Sequence, residues 1–248
     1  MDCTTQILHT IVKGDTLYKL SQRYNTTISD ILARNPRINP YNVQVGTRLI
    51  ICPGFQGKPE NEGKKDNKNI SQAQLILSNR MRTAWSQHVF WTRLLIISIL
   101  DGLADAEATQ KRLLQNPHDI AKLFVPYYGQ GTANQIEALI TQHLVLGESL
   151  IRATKANDTE QMDKNNQLWH ANADEIAHAL ALLNPSFDEK QLQNMMYTHL
   201  NLTKSEVAAR LARDFTADIN AFDKIEAEAL EMADYFTNGI VGQFPKAF

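Results

Sequence analysis

The chain is short of several features that would classify it quickly. Only two of its 248 residues are cysteine, Cys3 and Cys52, and without a Cys-x-x-Cys pair neither a zinc ribbon nor a thioredoxin-like redox motif is available. No charge dominates: a formal net charge of −2 argues against a broad phosphate-tracking surface, so no nucleic-acid partner is expected. Long hydrophobic runs are missing too. The longest, Leu94 to Leu100, falls well short of the roughly 18 apolar residues of a membrane span and reads as a buried helix segment. The opening Met1-Asp2-Cys3-Thr4-Thr5-Gln6 has no basic segment followed by an apolar one, so no secretory signal is visible.

What is present suffices for a globular protein. With 43% hydrophobic and 21% charged residues, the chain can build one large core or two smaller ones. Residues 53 to 69 carry three Gly, two Pro and almost nothing apolar, too little to offset their own ordering entropy, so a flexible linker is expected there. This predicts a small module at 1–53, a linker at 54–70 and a long helical part at 71–248. The fold class expected is multidomain: a small α+β (βααβ) module, then an all-α domain like a four-helix bundle with extra short helices.

In the module, Leu8 to Val12 and Thr47 to Ile51 read as strands. Thr16 to Tyr24 and Thr27 to Asn35 read as helices, with apolar spacing at Leu17, Leu20 and Tyr24 and at Ile28, Ile31 and Leu32. Packing both helices on one face of a two-stranded antiparallel sheet is the simplest way to bury them. If the first and last strands are neighbours, Cys3 and Cys52 could approach bonding distance; the alternative is two small buried or unpaired thiols.

The run His9-Thr10-Ile11-Val12-Lys13-Gly14-Asp15-Thr16-Leu17 is similar to the opening of LysM (lysin motif) modules. Asn35-Pro36-Arg37-Ile38-Asn39-Pro40 and Val45-Gly46-Thr47-Arg48-Leu49-Ile50-Ile51 resemble their close. Cys52 departs from the pattern, since a proline commonly follows the last strand; here Pro53 comes one residue later. The resemblance implies binding of an N-acetylglucosamine polymer, peptidoglycan or chitin, in a shallow groove. Its walls would be Gly14, Asp15, Thr16 and Leu17 on one side and Asn35, Pro36, Arg37 and Ile38 on the other. Backbone groups there would read the acetamido group, with Ile38 or Leu17 against its methyl. Locally, Gly14 permits a tight turn and Asp15 or Thr16 can cap the first helix. A single small groove binds weakly, so several sugars, several modules or an oligomer would have to supply avidity.

A wall-binding module without a visible signal leaves three routes: a trimmed chain, unconventional export, or deposition on a spore by the enclosing mother cell. Localisation at a cell wall or spore is the expectation.

From Ile70 onward, apolar residues recur at three and four spacing. Long helices are expected at 71 to 101, 131 to 155, 159 to 183 and 204 to 238, and short ones at 105 to 115, 117 to 128 and 188 to 201. Thr203-Lys204-Ser205-Glu206 and Ser186-Phe187-Asp188-Glu189 fit a capping box, and Asn116-Pro117 and Asn184-Pro185 mark breaks. Several apolar stripes contain polar residues: His88 on the first long helix, His143 on the second, Asn172 bordering the third and Asp218 on the fourth, with His199 on a short helix. Counting turns places His88, His143, Asn172 and Asp218 at similar depth. They read either as a metal or catalytic site, with His88, His143, His199 and Asp218 as ligands of zinc or another divalent ion, or as a hydrogen-bonded network that fixes helix register. The network is the more frequent outcome, and no cofactor is the default.

Other metal patterns are weaker. His170, Asp174 and His178 lie off the apolar stripe. Glu175-Ile176-Ala177-His178 is a lone Glu-x-x-His where a di-iron bundle needs two, and there is no His-Glu-x-x-His. Trp85, Trp91 and Trp169 read as core. Segments such as Trp85-Ser-Gln-His88-Val-Phe-Trp91-Thr-Arg93, Pro126-Tyr-Tyr-Gly129 and Met232-Ala-Asp234 resemble an uncharacterised helical domain that accompanies LysM modules in spore-forming bacteria, which implies no activity. The favoured expectation is a non-enzymatic peptidoglycan-binding protein; the alternative is a zinc-dependent peptidoglycan amidase or peptidase.

Overall fold

The computed structural model describes residues 6–40, 43–54 and 70–248. In the N-terminal module, strand β1 (Ile7–Thr10), helices α1 (Leu17–Arg23) and α2 (Ile28–Arg34) and strand β2 (Arg48–Ile51) follow in the expected order. The strands pair antiparallel, Ile7 opposite Ile51 and His9 opposite Leu49. Each helix begins where a threonine hydroxyl accepts an amide proton: Thr16 from Lys19 N at 3.0 Å and Thr27 from Asp30 N at 3.0 Å. Such caps contribute about 1 kcal/mol each. Asn35 ties α2 to the sheet: its amide donates to Ile31 O and Ile50 O, and its Oδ1 accepts from Ile50 N at 2.9 Å. Cys52 is buried and disulfide-bonded. Cys3 lies outside the described residues, as do residues 55–69 of the expected linker.

The helical part is built on five long helices rather than four: α3 (Gln72–Asp101), α7 (Gln130–Ala156), α8 (Thr159–Leu183), α9 (Glu189–Leu211) and α10 (Phe215–Gln243). Short helices α4 (Ala106–Leu113), α5 (Asn116–Lys122) and α6 (Val125–Tyr128) link α3 to α7. The long helices close a ring in which α3 packs on α10, α10 on α9, α9 on α8, α8 on α7 and α7 again on α3.

The extra long helix comes from a capping signal that tertiary structure overrides. The expected break near 201–204 does not occur. Thr203 Oγ1 bonds back to His199 O at 2.9 Å inside a continuous α9, and Glu206 turns to an arginine instead of its own N-terminus. The chain breaks ten residues later, where Arg213 takes a φ of 57° and Asp214 accepts from Ala217 N at 3.0 Å to start α10. At the start of α9 the cap is Asp188, which accepts from Gln191 N at 2.7 Å.

The module is docked on the ring. One continuous hydrophobic core contains Leu17, Leu20, Ile31 and Leu49 of the module together with Trp85, Phe124, Met232 and Phe236. Tyr18 meets Phe244 edge-on, with centroids 4.6 Å apart.

Packing is tight near the C-terminus. A Cβ at Gly239 would fall 2.0 Å from Phe187 Cε1, and that ring is held between Tyr235 and Phe236 at 5.5 Å. Gly239→Ala should therefore destabilise the protein by about 1–3 kcal/mol, although alanine is the better helix former. Gly131→Ala, where a Cβ meets nothing within 4 Å, should not. Thermal unfolding midpoints of the two variants check this.

Candidate functional site

Two places gather chemically capable side chains: the loops of the module and a polar layer inside the helical ring.

In the module, Gly14 (φ 91°) turns the chain between β1 and α1. Asp15 Oδ2 accepts from His9 Nε2 at 2.8 Å and from Val12 N at 3.0 Å. Burial raises this carboxyl's pKa, but the Val12 amide, His9 and Arg23 together outweigh it and hold the group below its usual value. Thr16 is buried beneath its capping bond, and its methyl faces Gly129 of the helical part. Leu17 is only 2% exposed and belongs to the core, and Ile38 is half-buried against that core. Asn35 is committed to the sheet, while Pro36 and Arg37 are exposed. Thr16, Leu17 and Asn35 therefore shape the loops, and of the residues expected to line a groove Gly14, Pro36 and Arg37 are exposed.

The polar layer draws one residue from every long helix. His88 (α3), His143 (α7) and His199 (α9) converge: the ring of His199 lies 5.9 Å from that of His88 and 6.1 Å from that of His143. Each Nδ1 has one oxygen partner, Asn116 Oδ1 at 2.9 Å for His88, Asn172 Oδ1 at 3.0 Å for His143 and Glu228 Oε2 at 3.1 Å for His199. The amides are oriented by their own second bonds, Asn116 Nδ2 to Ala84 O at 2.8 Å and Asn172 Nδ2 to Leu139 O at 3.2 Å. Their Oδ1 atoms must then accept, so the Nδ1 of His88 and of His143 carries the proton and Nε2 keeps its lone pair. Burial, followed by the field of His199, pushes His88 down to about 4. His143 is also held well below its ordinary value, by burial and then by the other two imidazoles.

The imidazoles border two small internal cavities, of about 40 Å³ on the side of Trp85, Phe124 and Met196 and about 20 Å³ on the side of Leu113, Trp169 and Thr203. The smaller one shares Gly147, Ile151, Trp169 and Thr203 with a surface cleft of about 340 Å³, whose mouth carries Asp163, Asn166 and Lys204. Among the described residues, no group of three or more His, Cys, Asp or Glu side chains is placed so as to hold an ion.

Asp218 does not join the histidines. Its Oδ1 accepts from Arg93 at 2.7 Å and its Oδ2 from Arg210 at 3.1 Å, while Arg93 also bonds Glu206 and Arg210 also bonds Asp101. Buried Asp218 is better satisfied by guanidinium groups than by imidazole, and α10 reaches the histidines through Glu228 instead. Burial pushes the Glu206 carboxyl up to about 7 against the opposing field of Arg93.

Sequence reasoning missed Asn116 and Glu228. Glu228 lies three residues after Ile225 and four before Met232 on the same stripe, a signal that was legible; Asn116 read only as a break before Pro117. His170, Asp174 and His178 are spent on Asn166 O, Tyr197 and Glu189. Trp91 is half-buried under the Arg112 guanidinium at 4.9 Å.

Residues 9–51 match the model of the LysM domain. The N-terminal module is a LysM domain. The chain is also 37% identical, over 70 residues, to a secreted LysM effector of Passalora fulva, a match that covers 27% of this chain and 28% of that relative's length. No solved structure matches the chain.

The polar layer makes stability depend on pH. His88 has a folded-state pKa of about 4 against roughly 6.5 unfolded. Its contribution is complete above 6.5 and disappears as pH falls toward 4, a loss of roughly 3 kcal/mol. Glu206, protonated up to about 7 in the fold, acts in the opposite sense. The measurement is therefore a difference: urea unfolding at pH 7, 5.5 and 4.5 should show a shallower loss of stability on acidification for His88→Gln than for wild type.

Proposed function

We propose that the protein binds polymers of N-acetylglucosamine through its LysM domain and holds the helical ring at a bacterial cell wall or spore cortex. The observation that carries this reading is the LysM domain itself, with its Gly14 turn and its exposed 36–37 loop segment beside Ile38. The similarity to a secreted LysM effector supports a glycan ligand. Among the described residues no helix is long and apolar enough to cross a membrane.

A binding role fits the ring better than hydrolysis of the polymer. The histidines face cavities of about 40 and 20 Å³, far too small for a cross-linked glycan strand. Catalysis on such a strand requires an open cleft that brings the scissile bond to the catalytic groups.

The full chain should sediment with insoluble peptidoglycan, and soluble N-acetylglucosamine tetramer should displace it without release of soluble wall fragments. Arg37→Trp together with Gly14→Val, which crowd the two loops, should reduce pelleting at least tenfold. Failure of the wild-type chain to sediment with either peptidoglycan or chitin would sink the proposal. Fragment release would replace it with a hydrolase.

A further inference from the structure

The polar layer contains more nitrogen than a network that only fixes register requires. Such a network pairs all of its buried polar atoms. Here each imidazole is bonded at Nδ1, and among the described residues no hydrogen bond is made by Nε2 of His88, His143 or His199. The layer also leaves Glu228 Oε1 and the indole nitrogens of Trp85 and Trp169 buried without partners. The Trp85 ring lies 5.6 Å from that of His88, and the Trp169 ring 5.3 Å from that of His143.

An Nδ1–H donated to an amide or carboxylate oxygen is the arrangement that orients a metal-bound histidine and raises the basicity of its other nitrogen. It occurs three times here, on three helices, around adjoining cavities of about 40 and 20 Å³, where roughly 10–15 Å³ already admits a water.

We propose that His88, His143 and His199 bind one divalent first-row transition-metal ion through their Nε2 atoms, with Asn116, Asn172 and Glu228 holding the rings from behind. The ion enters from the cleft lined by Asp163, Asn166 and Lys204, through the space beside Trp169 and Thr203 that cleft and inner cavity share. Three imidazoles suit zinc, cobalt, nickel or iron, and a tri-histidine set leaves a fourth position open to water.

The rings are not yet at bonding separation. Nitrogens at about 2.0–2.1 Å from a zinc ion put two ring centroids about 5 Å apart, whereas they stand 5.9 and 6.1 Å apart here. Binding therefore closes the His199–His88 and His199–His143 pairs by about 1 Å each. The apolar cavities on both sides leave room for that shift. The inference is independent of glycan binding.

The test uses tag-free full-length protein, stripped with chelator and dialysed against zinc, cobalt(II), nickel or, without oxygen, iron(II). Elemental analysis should find one ion per chain for at least one of them, with a rise in thermal midpoint that grows with metal concentration. His143→Gln and His199→Gln should abolish uptake, and His170→Gln should retain it. Asn172→Leu keeps all three imidazoles and should weaken affinity about 10–100-fold, a readout that a purely structural role for Asn172 would not move. Far-ultraviolet circular dichroism in chelator shows whether each variant is folded. If both histidine variants unfold, the Asn172→Leu affinity decides. No uptake of any of the four ions by folded wild type, uptake unchanged in folded histidine variants, or unchanged affinity in Asn172→Leu would overturn the assignment.

Discussion

Burying imidazole in an apolar interior is costly unless the ring N–H finds an acceptor, and this protein does it three times at one level of a helical ring. The acceptors come from different helices: Asn116 on α5, Asn172 on α8 and Glu228 on α10. Each bond couples the axial position of one helix to that of another. Sliding any long helix by a turn would strand a buried donor as well as an acceptor, so the layer fixes register in a way that interchangeable leucines could not. The second bonds of Asn116 and Asn172 to the backbones of α3 and α7 extend the same constraint to main-chain atoms.

Near the turn between α9 and α10, a second arrangement handles charge. Arg93 reaches from α3 to Glu206 on α9 and Asp218 on α10, and Arg210 links Asp218 to Asp101 at the end of α3. The two guanidinium groups lie over Phe222 and Phe215, so their apolar faces are covered while their edges meet carboxylates. The carboxylates of Glu206, Asp218 and Asp101 are thereby matched to guanidinium groups, while that of Glu228 is left to the histidine layer. The LysM domain closes the opposite flank by continuing the same hydrophobic core, with Tyr18 against Phe244, so the ring and the module are packed against each other.

Much of this was legible from particular residues. The Gly-Asp-Thr-Leu turn, the threonines before α1 and α2 and the alternating Leu49 and Ile51 specify a module whose forces are local. His88, His143, Asn172 and His199 announced themselves as polar residues on apolar stripes. The errors share one cause. Thr203 and Glu206 satisfy a local capping pattern, yet a serine- or threonine-led cap competes with tertiary partners, and Arg93, 113 residues away in sequence, takes Glu206 from the backbone. Asp218 and Glu228 are both acids on one stripe of α10, and periodicity cannot say which faces guanidinium and which faces imidazole.

Sequence by itself determined the LysM domain, the all-α character of the remainder and the presence of buried imidazoles, because each rests on interactions among residues close in the chain or on a repeating period. Only the tertiary structure decided that five helices form the ring, that Glu228 rather than Asp218 completes the layer and that the module packs onto the bundle. Those outcomes depend on which side chains of distant helices meet. At that range a buried polar atom takes the partner that geometry brings within about 3 Å, and no local pattern encodes the choice.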